Sequence, residues 1–290
     1  ASCLVGSEMC IRDRLQGVLL GGLYTLFALG QSLMFGVMRL TNTAQGDFII
    51  LGAFAVIAGV SLAGAAAPWL VALAVLPVAF GFGYALQRWV LNGTLGKDPL
   101  PSLVVTFGLS IVIQNLLLEL FSADPRAIET GGLGTRGLAL GESLSLGVLP
   151  LIVLAVALVA TGALQWLFAH TALGRSFRAV SDDREIAELM GLDAKKVYAF
   201  ATAIAFVLIA LAGALQGMRT TVSPSDGPLL LLFAFEAVII GGMGSFWGTL
   251  AGAMILGIAQ QVGFRLDPGW GIWFGPVSYT HLRAHETRGN

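Results

Sequence analysis

A series of apolar stretches, each about 20 residues long and almost free of charge, is the feature that most constrains this chain. About 20 residues is the length at which an α-helix crosses the hydrocarbon core of a bilayer. Only 11% of the 290 residues are charged, whereas ordinary soluble domains carry about 25%, so too little polar material is present to cover a water-facing surface. The sequence therefore predicts an all-α fold, a polytopic transmembrane helical bundle.

Eight spans are predicted, and a ninth begins near Gly271 and is truncated. The eight spans cover residues 15–37, 47–67, 69–91, 102–122, 147–168, 198–218, 229–244 and 247–264. The 38 glycines of the chain fit this class, because small residues let transmembrane helices approach one another closely.

The two ends of the chain differ from everything between them. The opening ASCLVGSEMCIRDR and the closing SYTHLRAHETRGN contain both cysteines and two of the three histidines: Cys3, Cys10, His281 and His285. Both ends resemble translated adapter sequence, so we interpret residues 1–14 and 277–290 as non-native. The transmembrane domain then covers residues 15–276, and these cysteines and histidines predict neither a disulfide nor a metal site.

The basic residues of the loops predict the orientation in the membrane. If the loop after span five is cytoplasmic, strict alternation of spans places eight Lys and Arg residues inside and four outside. The inside set is Arg39, Arg88, Lys97, Arg175, Arg178, Arg184, Lys195 and Lys196, and the outside set is Arg126, Arg136, Arg219 and Arg265. This excess follows the positive-inside rule and places the loop at 123–146 outside.

Two segments interrupt the apolar pattern. RLTNTAQGDF (39–48) separates the first two spans, and the glycine-rich GGMGSFWG (241–248) separates the last two. Paired breaks of this kind often mark the translocation site of a transporter, because unwound backbone is tolerated in a bilayer only where it lines a cavity or is buried. Two ordinary tight turns are the alternative, above all for the second break. The candidate path residues are Asn42, Gln45, Gly46, Asp47, Glu236, Gly241, Gly242 and Gly244.

Several kinds of chemistry have no motif in this sequence. The nucleotide-binding pattern GxxxxGK[ST] is absent, and so are HExxH and GxSxG. His170 is the one histidine of the transmembrane domain, and no arginine ladder for voltage sensing is present. The sequence therefore predicts no catalytic residue, metal site or cofactor site in this chain.

Acidic residues inside apolar segments are functional candidates, because a charge in the membrane is costly. Asp47 lies in the first break, Glu119 near the outer end of span four and Glu236 inside span seven. A proton-coupled transporter would use Glu236 and Asp47 as carriers. The alternative is a hydrogen-bonded glutamate that ties helices together, since no second buried acid or base pairs convincingly with Glu236.

One internal loop, residues 171–197, is exceptionally charged. Its segment GRSFRAVSDDREIAELMGLDAKK holds ten of the 33 acidic and basic residues of the chain. The pattern predicts a helix of about ten residues. Ser181 or Asp182 is the candidate N-cap, with Glu185 in the manner of a capping box, and Gly191 supplies the C-terminal stop.

This predicted helix, residues 182–190, is amphipathic. Ile186, Leu189 and Met190 share one face. Helices that rest on lipid usually carry Lys and Arg on the polar face, whereas this one carries Asp182, Asp183, Glu185 and Glu188. Anionic lipid would repel it, so a protein partner is the better surface.

Three blocks of sequence carry a family resemblance. They are LYTLFALGQSLMFGVMRLTNTAQGDFIILGA (23–53), TALGRSFRAVSDDREIAELMGLDAKKV (171–197) and FAFEAVIIGGMGSFWGTLAGAMILG (233–257). In this order they resemble the permeases of branched-chain amino acid ABC transporters, over roughly residues 15–275. Permeases for urea and short amides look alike, so the resemblance does not fix the substrate.

The resemblance implies a membrane-spanning permease subunit of an ATP-binding-cassette importer in a bacterial or archaeal plasma membrane, with no enzymatic activity of its own. The implied partners are a second homologous permease, two ATP-binding subunits that hold ATP and Mg, an external solute-binding protein and membrane lipid, but no nucleic acid.

In that family the charged loop docks onto the ATPase as a short cytoplasmic coupling helix. The residues assigned to this contact are Arg175, Arg178, Asp182, Asp183, Glu185, Ile186, Leu189, Met190 and Gly191. A urea or short-amide permease and a proton-coupled secondary transporter remain the alternatives.

Overall fold

The computed structural model of the protein describes residues 2–62, 68–94, 100–130, 132, 137–139 and 145–266. The expected ninth span near Gly271 and the segment 277–290 lie outside these residues and stay predictions. The interpretation of residues 1–14 as non-native also stays a prediction.

The all-α class is confirmed. The helices of the described residues are α1 (Ser2–Met38), α2 (Gln45–Leu62), α3 (Pro68–Trp89), a 3-10 turn (Leu91–Gly93), α4 (Leu100–Phe121), α5 (Val148–His170), α6 (Ala172–Asp182), α7 (Arg184–Leu189), α8 (Ala194–Arg219), α9 (Gly227–Gly241) and α10 (Phe246–Leu266). A small antiparallel hairpin precedes α5 and pairs β1 (Gly137–Ala139) with β2 (Ser145–Gly147), Leu138 standing opposite Leu146.

Fewer helices cross the bundle independently than the sequence predicts. Six are long and apolar enough to span a membrane, namely α1 from Arg14, α2, α3, α4, α5 and α8. The predicted spans seven and eight are α9 and α10, which bend by 117° at the second break and together count as at most one more. Within the described residues the count is therefore six to seven, and the predicted eight is not confirmed. With 15 residues, α9 is shorter than the ~20 that a span needs.

Helix α1 lies at the centre of the bundle. It packs against α5, α8, α9 and α10, and 83% of its most apolar part is buried. The most apolar parts of α3, α4 and α5 are mostly exposed, and their apolar side chains face outward. Helices α1 and α8 therefore form the core that the other helices surround.

Glycines set the closest helix contacts. A Cβ on Gly21 of α1 would lie 2.7 Å from the Met254 Cα of α10, and one on Gly257 would meet the Gly17 carbonyl oxygen. Gly17 and Gly21 are four residues apart on one face of α1, the small-xxx-small spacing with which membrane helices approach closely. Dispersion contacts between the two backbones therefore hold α1 against α10.

Long-range contacts define one end of the bundle, which we call the loop end. The Ser181 hydroxyl of α6 donates to the Gly36 carbonyl of α1 at 2.7 Å. Asn92, just after α3, donates to the Lys195 carbonyl at 3.3 Å. The ends of α1 and α3 thus lie beside the charged loop, and Arg39 and Arg88 share this end with its basic residues, as the orientation prediction requires.

The opposite end, which we call the far end, is joined by a backbone bridge. Arg126 and Val222 exchange N–H···O bonds of 3.0 and 2.7 Å. Helix α8, with 26 residues, runs from the loop end to the far end, a length of about 39 Å at 1.5 Å per residue. The two ends are therefore separated by more than the hydrocarbon thickness of a bilayer, about 30 Å.

Candidate functional site

The first break is buried in the bundle. Asn42 is only 1% exposed, and its Oδ1 accepts a hydrogen bond of 3.1 Å from the Ala44 N–H, which fixes the turn that leads into α2. Thr43 shares a 2.8 Å hydrogen bond with the Thr106 hydroxyl of α4. The non-helical backbone that the sequence predicts is thus present, and its polar groups have protein partners.

Helix α2 begins about halfway through the bundle. Gln45, in its first turn, donates from Nε2 to the Phe27 carbonyl at 2.7 Å, and Phe27 lies near the middle of the spanning part of α1. The backbone of Gly46 meets that of Gly227 so closely that a Cβ on Gly46 would overlap the Gly227 carbonyl oxygen. The N-termini of α2 and α9 therefore meet in the interior of the bundle.

Asp47 lies at this meeting point. Its carboxylate accepts hydrogen bonds from the Ser110 hydroxyl (2.5 Å) and the Gln114 amide (2.8 Å), both on α4. A Cβ on Gly227 would touch the same carboxylate. The positive ends of two helix dipoles favour a negative charge at this position. The arrangement fastens α2 to α4 and leaves both carboxylate oxygens engaged.

The second break is an exposed turn at the loop end. Gly242 and Gly244 have φ of +87° and +86°, a conformation that residues with a Cβ rarely adopt, and Met243 between them is 54% exposed. The Ser245 Oγ accepts a 3.1 Å bond from the Gly248 N–H and stabilises the start of α10. Gly241 packs directly on Gly248. The second break therefore has the geometry of a tight turn, and a role of Gly241, Gly242 and Gly244 in the path stays a prediction.

Glu236 lies on α9 with one carboxylate oxygen buried and without a hydrogen-bond partner among the described residues. Tyr24 of α1 stands within electrostatic range of both Glu236 and Arg219. The Tyr24 ring stacks on Phe233 at 4.9 Å, and its hydroxyl donates to the Gln260 side chain. No second acid of the described residues forms a pair with Glu236.

Sequence reasoning missed three buried polar residues of this region. Tyr24, Gln31 and Gln260 lie inside apolar spans, and both amide atoms of Gln31 are buried without a hydrogen-bond partner among the described residues. The signal that could have found them is the rule that polar groups in spans are functional candidates by default.

The charged loop folds as two helices: the helix predicted over residues 182–190 is present as the shorter α7 (Arg184–Leu189), and α6 (Ala172–Asp182) before it was not predicted. The break falls at Asp183, whose extended backbone (φ −149°, ψ 110°) interrupts the helix. Asp183 caps α7 by accepting a 3.1 Å bond from the Ile186 N–H. The two residues predicted as N-cap candidates do not cap α7. Asp182 is the last residue of α6, and the Ser181 hydroxyl bonds to α1.

The predicted stop at Gly191 is confirmed. Gly191 has φ of +89°, its N–H donates to the Glu188 carbonyl, and the Leu192 N–H donates to the Ala187 carbonyl. These two bonds form a Schellman motif. Because Gly191 turns the chain sharply, α7 projects as a separate short helix before α8 starts.

Helix α7 presents three bare apolar side chains. Ile186, Leu189 and Met190 are 59%, 86% and 80% exposed. The opposite face is held down by Ala187, which is buried. Exposed apolar side chains grouped in this way indicate a surface that another molecule covers.

Helix α6 anchors this surface to the bundle. Phe177 is fully buried, and its ring packs 5.3 Å from Phe168 of α5. Arg178 donates to the Phe168 carbonyl at 2.6 Å, which satisfies a free carbonyl in the last turn of α5. The remaining predicted contact residues, Arg175, Asp182 and Glu185, are exposed.

Two ion pairs between residues close in the sequence lie on α7 and at the start of α8. Arg184 and Glu188 form an exposed ion pair at 3.0 Å, and Lys196 pairs with Asp193 at 3.3 Å. A hydrogen bond from the Lys196 backbone N–H lowers the pKa of the Asp193 carboxyl below its ordinary value. Across the part of the chain that the structure describes, no three His, Cys, Asp or Glu side chains are grouped closely enough to hold a metal ion.

Comparison with known proteins agrees with this architecture. The family described as branched-chain amino acid transport system / permease component matches residues 14–269, nearly the whole chain. The chain belongs to this permease family.

Individual relatives of the permease carry consistent names. The high-affinity branched-chain amino acid transport system permease protein BraD of Pseudomonas aeruginosa is 28% identical over 265 residues, covering 87% of this chain and 86% of BraD. LivH of Escherichia coli, a permease protein of the same description, is 27% identical over 87% of this chain and 85% of LivH. The fructose import permease protein FrcC of Rhizobium meliloti is 32% identical over 67% of this chain and 58% of FrcC. No solved structure matches the chain significantly.

Membership of this family confirms the predicted resemblance. The permease is a multi-pass integral protein of the plasma membrane, and its relatives are transport proteins rather than enzymes. The family also includes sugar permeases, so the family alone does not set the substrate.

Proposed function

We propose that this permease is the membrane-spanning subunit of an ATP-driven importer and that branched-chain amino acids are its substrates. The exposed apolar side chains of α7 support the role as an importer subunit. They lie at the end of the bundle that holds most of the basic residues, and they need a protein surface to cover them. The substrate assignment rests on the names of the relatives BraD and LivH.

The partners follow from this role. Two ATP-binding subunits, which hold ATP and Mg, contact the charged loop from the cytoplasm. A second homologous permease completes the path, and a solute-binding protein delivers the amino acid outside. The exposed faces of α3, α4 and α5 contact lipid or the second permease.

The contacts of α6 suggest how movement of the ATPase reaches the bundle. The charged loop joins α5 to α8, so movement of the loop acts directly on these two helices. The Ser181 hydroxyl also ties α6 to α1, and Gly36 of α1 lies beside Gly244 in the turn between α9 and α10. Displacement of α7 is therefore expected to act on α1 and on this turn as well. The path is expected to run beside the first break, where α2 and α9 begin.

Reconstitution tests the proposal. The chain is placed in proteoliposomes with candidate partner permease, ATP-binding subunits and binding protein, and uptake of labelled leucine, isoleucine and valine is measured. We expect uptake that requires ATP on the ATPase side and every partner, with urea and acetamide failing to compete. Uptake of these amino acids without ATP or partners would contradict the proposal.

A proton-coupled transporter remains the second candidate, because one Glu236 oxygen is buried and unpartnered among the described residues. Under that alternative, Glu236→Gln abolishes uptake and a proton gradient replaces ATP. Under our proposal, Glu236→Gln keeps ATP-dependent uptake, and collapsing the proton gradient has no effect.

A further inference from the structure

A cavity of about 200 Å³ lies at the far end of the bundle, among the ends of α1, α5, α8 and α10. Its polar lining comes from Gln16, Arg219 and Gln261, and its apolar lining includes Leu19 and Pro150. Ligand sites of small molecules combine apolar walls with a few polar groups in this way.

Arg219 is the unusual member of this lining. Its Nη1 is buried without a hydrogen-bond partner among the described residues, and its guanidinium forms none of the ion pairs found within them. The two glutamines bond to each other instead, Gln261 donating to Gln16 at 3.1 Å. A buried N–H donor of a charged group that has no acceptor is costly, so a ligand that supplies an acceptor to Nη1 would offset that cost.

The chemistry of the guanidinium selects the ligand class. Its planar set of N–H donors matches a carboxylate with two parallel hydrogen bonds. The Tyr24 phenol lies within electrostatic range of the guanidinium, and the Glu236 carboxyl lies within range of Tyr24. An amino acid carries one carboxylate, the group that the guanidinium of Arg219 matches.

We propose that the Arg219 cavity is the outer recognition site for the carboxylate of the transported amino acid. This inference rests on the proposed function. The cavity lies about 39 Å along α8 from the ATPase-facing loop, at the end where substrate arrives. Leu19 and Leu146 in its wall suit an aliphatic side chain.

A carboxylate on the surface of the binding protein is the other source of the same chemistry. The buried position of Nη1 favours the small molecule, because a side chain of a docked protein would meet exposed cations such as Arg126 first.

The test compares Arg219→Gln and Arg219→Lys with the control Arg126→Gln. Arg126 is an exposed arginine of the same end that bonds to the Phe121 carbonyl at 3.0 Å. The first measurement is uptake by the reconstituted complex over a range of L-leucine concentrations. The second is thermal stabilisation of the purified full chain by L-leucine and by L-leucinamide, which lacks the carboxylate. The third is stimulation of ATP hydrolysis by the binding protein without substrate.

We expect Arg219→Gln to raise the KM for leucine about ten- to hundredfold, the effect of losing hydrogen bonds to a charged group. L-Leucine is expected to stabilise the wild-type chain and L-leucinamide to do so much less, a difference that Arg219→Gln removes. Arg219→Lys should recover part of the affinity, and Arg126→Gln should behave as wild type.

An unchanged KM in a folded Arg219→Gln complex would overturn the site while leaving the importer function standing. Loss of binding-protein stimulation with an unchanged response to L-leucine would also overturn it, because the carboxylate would then come from the binding protein. Failure of the wild-type complex to import any branched-chain amino acid would instead refute the proposed function.

Discussion

At the scale of single residues, Asp47 shows how a carboxylate can be kept inside a membrane protein. Two donors from α4 and the N-termini of two helices surround it. The arrangement compensates the cost of burial and assigns Asp47 the part of a structural clamp between α2 and α4.

Asp47→Ala is therefore expected to lower stability by about 1–3 kcal/mol, since it removes the acceptor of the buried Ser110 hydroxyl and of the half-buried Gln114 amide. Asp47→Asn keeps one acceptor oxygen and should cost less. The thermal unfolding midpoint of the detergent-solubilised chain measures both. The exposed Glu119 on α4 supplies the control, because Glu119→Ala removes no contact. Abolished transport in a stable Asp47→Asn variant would show a proton carrier instead of a clamp.

The contact between Gly46 and Gly227 gives a second prediction at this scale. A Cβ at either position overlaps the facing backbone, so Gly46→Ala is expected to destabilise the chain by about 1–3 kcal/mol through overpacking. Gly108→Ala is the matched control, because a Cβ there meets nothing within 4 Å. Equal unfolding midpoints for the two variants would contradict the close approach of α2 and α9.

The sequence could predict Asp47 and Gly46 as candidate site residues, because both stand in a polar break between apolar spans. It could not predict Arg219 as a cavity residue or Tyr24 as its neighbour. Each is a single polar residue in or beside an apolar span, and its surroundings depend on helices that are distant in the sequence.

At the scale of elements, α6 and α7 divide the work that the sequence assigns to one helix. Helix α6 binds the bundle through Phe177 and Ser181, and α7 presents its apolar side chains outward. The helical period predicts the exposed face, but it does not predict that the N-cap is Asp183 or that Ser181 of α6 bonds to α1, a contact between residues distant in the sequence.

Leu189→Asp is expected to weaken association with the ATP-binding subunits by at least tenfold, because it places a charge in an apolar contact. Co-purification and ATPase stimulation measure the effect. Leu62→Asp is the matched control: Leu62 is as exposed (88% against 86%) but ends α2, away from the loop end. Normal co-purification of Leu189→Asp would count against docking through α7.

At the scale of the whole molecule, the first six predicted spans agree with α1, α2, α3, α4, α5 and α8 to within about five residues, because charge-free length alone defines them. The bend between α9 and α10 could not be predicted as such. A glycine-rich break predicts that the chain turns. The angle between α9 and α10 depends on how Gly252 of α10 packs against α9.

Orientation is testable at this scale. In a background without Cys3 and Cys10, a cysteine replacing Leu62 should react with a membrane-impermeant maleimide in intact cells. A cysteine replacing Leu189 should react only after permeabilisation, because the basic loop end faces the cytoplasm. The reverse labelling pattern would invert the orientation and place the Arg219 cavity inside.

The central position of α1 also has a consequence for biosynthesis. Helix α1 is made before α10, but Gln260, which accepts from Tyr24, and Thr249, which bonds to Ser32 at 2.9 Å, belong to α10. At about 5–20 residues per second, some 10–45 s pass before these partners leave the ribosome. During that interval the hydroxyls and amides of α1 must be sheltered by the insertion machinery or by water. We therefore expect ribosome-stalled chains that end before α10 to be the ones that membrane quality-control proteases degrade.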